Sequence, residues 1–403
     1  MSLSTPKPAP RLEFLDGLRG VCALYIALYH ASLFTGFGKG DETYSPLAKI
    51  CLHLLSFGPY SVAVFIVLSG FVIGLPVAKT AGLTLRGGFR SYIGRRARRI
   101  LPPYYAALGL FLVLIALIPV LQVQRGTAWD SKIPVTWNAI WSHLLMVHNL
   151  YPAWSLKIDG PMWSVATEWQ IYFLFPLLLV LWRRFNLGFT VLIAFAIGLA
   201  PQVFLPGGYN LSWMSPWFLG LFALGMMGSA VVFSPFPFWQ RVRHRAPWRS
   251  LALLSALLAL ATFLGDRLEV LPSYASESLV GLFVTVIVVY FARLETLGAP
   301  RPLVLRFLNW PGVVFLGAFS YSVYLIHSPL LGLFNLLTLE LPLASDARLL
   351  LMLTVAVPLA LLASFGFYWL VERHFLSGHQ RDLSRTGPSH PVRITESQRY
   401  HRV

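Results

Sequence analysis

Charge is scarce in this chain. Only 12% of its 403 residues are Asp, Glu, Lys or Arg, against about 25% in an average soluble protein. With 56% hydrophobic residues and a mean hydropathy of +0.65, the composition argues against a soluble globular protein. It places the chain in the polytopic membrane class. Cysteine is scarcer still. Cys22 and Cys51 are the two present, each in or beside an apolar segment, which argues against a disulfide framework. There is no Cys-x-x-Cys and no His/Cys cluster, so nothing in the sequence calls for a metal. No internal repeat is visible, which weakens a reading as an inverted-repeat transporter.

Long apolar runs are abundant instead. Ten segments are long enough, or nearly so, to cross a bilayer: 14–34, 54–77, 101–121, 163–182, 187–205, 214–233, 250–265, 276–292, 312–338 and 349–371. Segment 250–265 is the shortest. Residues 133–151, IPVTWNAIWSHLLMVHNLY, are apolar but carry Trp137, Trp141, His143 and His148. They read as an interfacial or re-entrant piece rather than a span. The expected fold is therefore an all-α polytopic membrane protein of about ten transmembrane helices.

A net charge of +16 invites a nucleic-acid reading, but the placement of the charges explains it better. With the N-terminus inside, the outer loops hold only Lys39, Lys49, Arg125, Lys132, Lys157, Arg267 and Arg348. Arg19 alone sits within a span, and the other 24 Lys and Arg fall in inner segments. This asymmetry predicts that both termini are cytoplasmic and requires no nucleic acid. Lys7 and Arg11 precede a first apolar run that is too long, and lacks a clear small-residue cleavage site, to favour a signal peptide; it reads as a retained span. Residues 1–375 read as one membrane domain. Residues 376–403, polar, basic and turn-rich, read as a disordered cytoplasmic tail that suits contact with anionic lipid.

Five constellations interrupt the apolar background. In LDGLRGVCALYIALYH, residues 15–30, Asp16, Arg19 and His30 fall on one helical face and form a stripe roughly 20 Å long. Ionisable groups inside a membrane are expensive and mark functional sites. Asp16 and Arg19 also fit a structural ion pair. His30 lies well up the helix, and histidine is the usual proton acceptor near neutral pH. In VFIVLSGFVIG, residues 64–74, Ser69, Gly70 and Gly74 suit either helix packing or substrate contact. In RSYIGRRARRILPPYY, residues 90–105, four arginines occupy five positions. Positive-inside anchoring explains some of them; a polyanionic cytoplasmic ligand explains the density. In GPMWSVATEWQIYFLFP, residues 160–176, Ser164, Glu168, Tyr172 and Pro176 recur every four residues. Glu168 needs a partner there, with Arg19, His30 and the outer-loop cations as candidates. In FLGAFSYSVYLIHSPLL, residues 315–331, Ser320, Tyr324 and His327 share a face. They suit a hydrogen-bonded strip in the site or interhelical glue.

Taken together and in this order, LDGLRG with the Arg19-x10-His30 spacing, FIVLSGF, RRARRILPPYY, WSVATEWQIYFLFP and SYSVYLIH resemble the acyltransferase 3 family of integral-membrane O-acyltransferases. FLGLFALG at 218–225 and VERHF at 371–375 add to the match. One departure is the Arg98-Arg99 pair, since an apolar residue is expected at 98. The resemblance implies transfer of an acyl group, usually acetyl from acetyl-CoA, to a hydroxyl of a cell-surface glycan or of a small molecule such as a macrolide. It further implies that His30 is the essential histidine and Arg19 its motif partner. On this reading His30, Arg19 and Glu168 are the catalytic candidates, and Arg95, Arg96 and Arg99 hold the phosphates of acyl-CoA. Asp16, Ser69, Tyr172, Ser320, Tyr324 and His327 position the substrates. The partners are acyl-CoA, a hydroxyl-bearing acceptor and the lipid bilayer, with no metal and no nucleic acid. The expected location is a bacterial plasma membrane. A proton-coupled exporter or flippase using His30, Arg19 and Glu168 as a relay is the alternative, and a non-catalytic scaffold is a third reading.

Overall fold

A computed structural model describes residues 12–36, 43–205 and 211–376. The basic tail therefore lies outside the described residues, apart from Leu376, as do Lys7 and Arg11. The described residues are helical, with no strand among them. The helices are α1 (Glu13–Phe34), α2 (Pro46–Leu55), α3 (Tyr60–Ala78), α4 (Gly88–Leu117), α5 (Trp137–Leu144), α6 (Pro152–Ser155), α7 (Met162–Arg184), α8 (Leu187–Phe204) and α9 (Phe218–Phe233). They continue with α10 (Pro237–Arg245), α11 (Trp248–Arg267), α12 (Ser273–Leu297), α13 (Leu303–Leu308), α14 (Pro311–Ala318), α15 (Ser320–Leu337), α16 (Ser345–Leu351) and α17 (Val357–Leu370).

Nine helical segments among the described residues are long and apolar enough to cross a membrane, and a bent pair makes a tenth. Their outward faces are apolar. Leu192, Leu257 and Leu362 are each more than 60% exposed, a pattern that suits lipid rather than water. The chain is a multi-pass membrane protein.

Four differences from the sequence expectation have local causes. The second span begins at Pro46, not 54, because α2 and α3 together form one 33-residue unit; Ser45 caps it, accepting from Ala48 N–H. The third span is the apolar half of α4, which runs straight through the arginine cluster and through Pro102 and Pro103. It stops at Leu117 because Ile118, the residue before Pro119, is extended. The segment 312–338 is not one straight span: α14 and α15 meet at Phe319 with a 71° bend. The last span contains a π-helical turn over Met352–Ala356, just before Pro358.

Residues 133–151, read as an interfacial or re-entrant piece rather than a span, are not among the helices long and apolar enough to cross a membrane. Trp137 and Trp141 are exposed, while His143 and His148 are buried. Tyr104 and Tyr105, midway along α4, donate to the carbonyls of His143 (3.0 Å) and Leu144 (2.7 Å) and hold the segment against the bundle.

Helix α3 packs along α9, α1 packs on α14 and α15, and α15 packs on α17. Small residues make these approaches possible. A Cβ at Gly70 would collide with the Phe222 carbonyl of α9, and one at Gly225 with the Val67 carbonyl of α3. The bend at Phe319 turns Ser320, Tyr324 and His327 toward α1 and α7. Its start is fixed from the C-terminal end of the chain: Glu372, buried, accepts from the Ser322 N–H (3.1 Å) and hydroxyl (2.5 Å) in the first turn of α15. This gives α15 a cap from outside its own sequence. Burial raises the Glu372 pKa, and the Arg99 charge opposes that rise.

Candidate active site

Two cavities lie between α1, α3, α4, α7 and α15, and they adjoin. Val62 and Tyr324 line both. Tyr324 is tied to α7 by a hydrogen bond between its hydroxyl and Ser164.

The first cavity, of about 110 Å³, holds the arginines. Arg19, Arg96 and Arg99 line it, together with Ser69, Glu168 and Tyr172. Arg96 and Arg99 share a face because α4 is continuous there. Arg19 is fixed by Asp16, one turn earlier in α1, at 3.3 Å. Arg96 Nε is buried with no hydrogen-bond partner among the described residues, an arrangement that leaves a donor for a bound group. Glu168 has hydroxyl partners, not the cation expected from sequence. Ser69 donates to its Oε1, and so does Tyr172 at 2.5 Å. Ser69 thus belongs to the site, while its neighbour Gly70 belongs to the packing. Ser320 and Tyr321 also reach this cavity. Arg95 does not. Its guanidinium turns back to Ser91 Oγ (2.5 Å) and the Arg86 carbonyl (3.2 Å).

The second cavity, of about 290 Å³, holds a histidine. His30 lines it with Tyr29, Trp163, Lys132, Gly160 and Ser328. His30 Nδ1 lies 2.7 Å from His327 Nε2, and the two rings are nearly parallel, 11° apart. His327 Nδ1 lies 2.7 Å from the Val323 carbonyl. A carbonyl only accepts, so His327 Nδ1 carries the hydrogen and its Nε2 accepts from His30 Nδ1–H. With both rings neutral, the lone pair of His30 falls on Nε2. The arrangement fixes which nitrogen is able to accept a proton.

Sequence reasoning placed His327 on a polar strip but did not pair it with His30, since 297 positions separate them. It also passed over Asp159, which is fully buried with neither carboxylate oxygen hydrogen-bonded among the described residues. The signal was a carboxylate immediately ahead of an apolar helix start, in KIDGPMW. Lys132 was counted as an outer-loop cation, yet it is only 8% exposed. No group of three or more His, Cys, Asp or Glu that could hold a metal occurs among the described residues.

A family model described as "Acyltransferase domain" (Acyl_transf_3) matches residues 12–372. Acyltransferase MdmB of Streptomyces mycarofaciens is 22% identical over 342 residues, covering 80% of this chain and 79% of the relative. The putative peptidoglycan O-acetyltransferase YrhL of Bacillus subtilis is 24% identical over 79% of this chain and 48% of its own length. O-acetyltransferase OatA of Staphylococcus aureus is 24% identical over 81% of this chain and 52% of its own length. The chain thus spans about half the length of the latter two. No solved structure matches it. The match over nearly the whole chain establishes that this protein belongs to the acyltransferase 3 family and is an enzyme of acyl transfer.

Proposed function

We propose that the protein is an O-acetyltransferase that takes its acyl group from acetyl-CoA and gives it to a hydroxyl of a cell-surface glycan or small molecule, in a bacterial plasma membrane. The observation that carries this reading is the adjoining pair of cavities, one lined by arginines and one by an imidazole with its lone pair fixed on Nε2. The positive-inside distribution of Lys and Arg supports an arginine cavity that faces the cytoplasm, where CoA is found.

Arg96 and Arg99 bind the phosphates of CoA, since paired guanidinium groups grip phosphate bidentately. The thioester reaches past Arg19 toward Tyr324, where the cavities meet. His30 Nε2 takes the proton of the acceptor hydroxyl as its oxygen attacks the thioester carbon. The new C–O bond forms, the C–S bond breaks, and His30 returns the proton to the CoA thiolate. Arg19 stabilises the negative charge on the thioester oxygen, a role worth roughly 3–4 kcal/mol for one well-placed donor. Glu168 holds Ser69 and Tyr172 against the donor side of the cavity and does not exchange the proton. Burial excludes water, which would otherwise hydrolyse the thioester.

The test is purified protein in nanodiscs with [14C]acetyl-CoA and a pool of envelope glycans and hydroxylated metabolites. The expected result is release of CoA matched by label on an acceptor. Proton-driven flux of a glycan with no consumption of acetyl-CoA would replace this reading with the exporter.

A further inference from the structure

Lys132 has no part in the chemistry above, yet it lines the same cavity as His30. Its position is built rather than incidental. It ends the 3-10 turn Ala128–Lys132, and its carbonyl accepts from the Ile158 N–H at 3.0 Å, which pins the turn to the segment carrying Asp159 and Gly160. Its ammonium lies against Gly160, where a Cβ would collide with Nζ. An ammonium has three donors, and Ser131 Oγ at 3.1 Å is the partner they find among the described residues. Asp159, beside Gly160, is a buried carboxylate within electrostatic reach of Lys132, with no hydrogen bond between the two among the described residues. Burial pushes Lys132 down to about 8 and Asp159 well up, and each charge opposes the other's shift.

A buried ammonium in the field of a buried carboxylate, with donors to spare, suits a neutral oxygen better than an anion. Tyr29 and Trp163 offer apolar ring faces in the same cavity. Resting on the acetyltransferase reading, we propose that Lys132, seated on Gly160, binds a second, neutral hydroxyl of the acceptor, beside the one His30 deprotonates. The acceptor is then a vicinal polyol such as a sugar ring, and Lys132 is a positioning residue that selects it.

The test compares trans-cyclohexane-1,2-diol with cyclohexanol, which lacks the second hydroxyl. Binding to the full chain in nanodiscs is measured for wild type, Lys132→Met and Gly160→Ala, the last displacing the ammonium without removing it. Wild type is expected to prefer the diol by roughly tenfold or more, the worth of a hydrogen bond to a charged group. Lys132→Met is expected to lose that preference while still binding cyclohexanol, and Gly160→Ala to weaken it. With the diol as acetyl acceptor, Lys132→Met is expected to raise KM and leave kcat within about threefold. Equal binding of both compounds by wild type overturns the proposal, as does a fall in kcat at unchanged KM. A Lys132-dependent diol preference in a protein that never consumes acetyl-CoA keeps the polyol subsite and refutes the acetyltransferase reading.

Discussion

His30 of α1 and His327 of α15 share a hydrogen bond of 2.7 Å between Nδ1 and Nε2, and the Val323 carbonyl at the far end of the pair decides where the hydrogens sit. The chain carbonyl–His327–His30 leaves one lone pair pointing away from the pair, on His30 Nε2. On the proposed mechanism, His327 therefore orients the base without touching the substrate. Replacing it with Ala leaves His30 in place but frees its ring to rotate and to change tautomer. The expected effect is a fall in kcat of roughly 10- to 100-fold, smaller than the roughly 100- to 10,000-fold that a general base itself contributes, with KM for acetyl-CoA little changed. Steady-state kinetics of His327→Ala checks this.

Arg96 and Arg99 face the first cavity from consecutive turns of α4, and Arg95 does not. Arg96→Lys and Arg99→Lys keep the charge but lose the planar fork. Each is expected to raise KM for acetyl-CoA by about tenfold, while Arg95→Lys leaves it unchanged. Titration with acetyl-CoA across the three variants reads the difference. Equal effects at all three positions would mean that general positive charge, not the cavity, holds the donor.

Gly70 and Ser69 are neighbours with separate tasks. Gly70→Ala drives a Cβ into the backbone of α9 at Phe222, so the expected effect is a loss of about 1–3 kcal/mol of stability. Ser69→Ala removes one hydroxyl from Glu168 and is expected to act on KM with little change in stability. Thermal unfolding in detergent and acetyl-transfer kinetics separate the two.

The stacked rings of His143 and His148, 3.8 Å between centroids, make a pH prediction. Burial pushes His143 down to about 4 and His148 well below the usual imidazole range. The unfolded chain therefore binds more protons than the folded one between about pH 6.5 and 4, so stability falls as pH falls through that window. His148→Gln is expected to flatten this dependence. Unfolding temperatures from pH 7.5 to 4.5, wild type against variant, check the sign.

The spans were legible in the sequence because apolar length alone marks a membrane helix, and the site residues because each breaks an apolar run. Asp16 and Arg19 share a turn, so their pairing followed from periodicity; so did the common face of Ser164, Glu168 and Tyr172. What lay beyond reach was set by contacts between distant segments. The 71° bend at Phe319 has no proline at the break. It aims His327 at a residue 297 positions away. Lys132 looked like a solvated loop cation because only the fold places Gly160 and Asp159 around it. Arg95 looked equivalent to its neighbours until the helix turned it toward Arg86.

The central claim is that His30 Nε2 takes the acceptor's proton during transfer from acetyl-CoA. The direct measurement is label transfer from [14C]acetyl-CoA to an acceptor in nanodiscs by wild type and by His30→Ala, with acetyl-CoA binding recorded on the same samples. The expected result is unchanged binding of acetyl-CoA and a loss of transfer of at least about 100-fold in the variant. Transfer at the wild-type rate by a folded His30→Ala protein would contradict it.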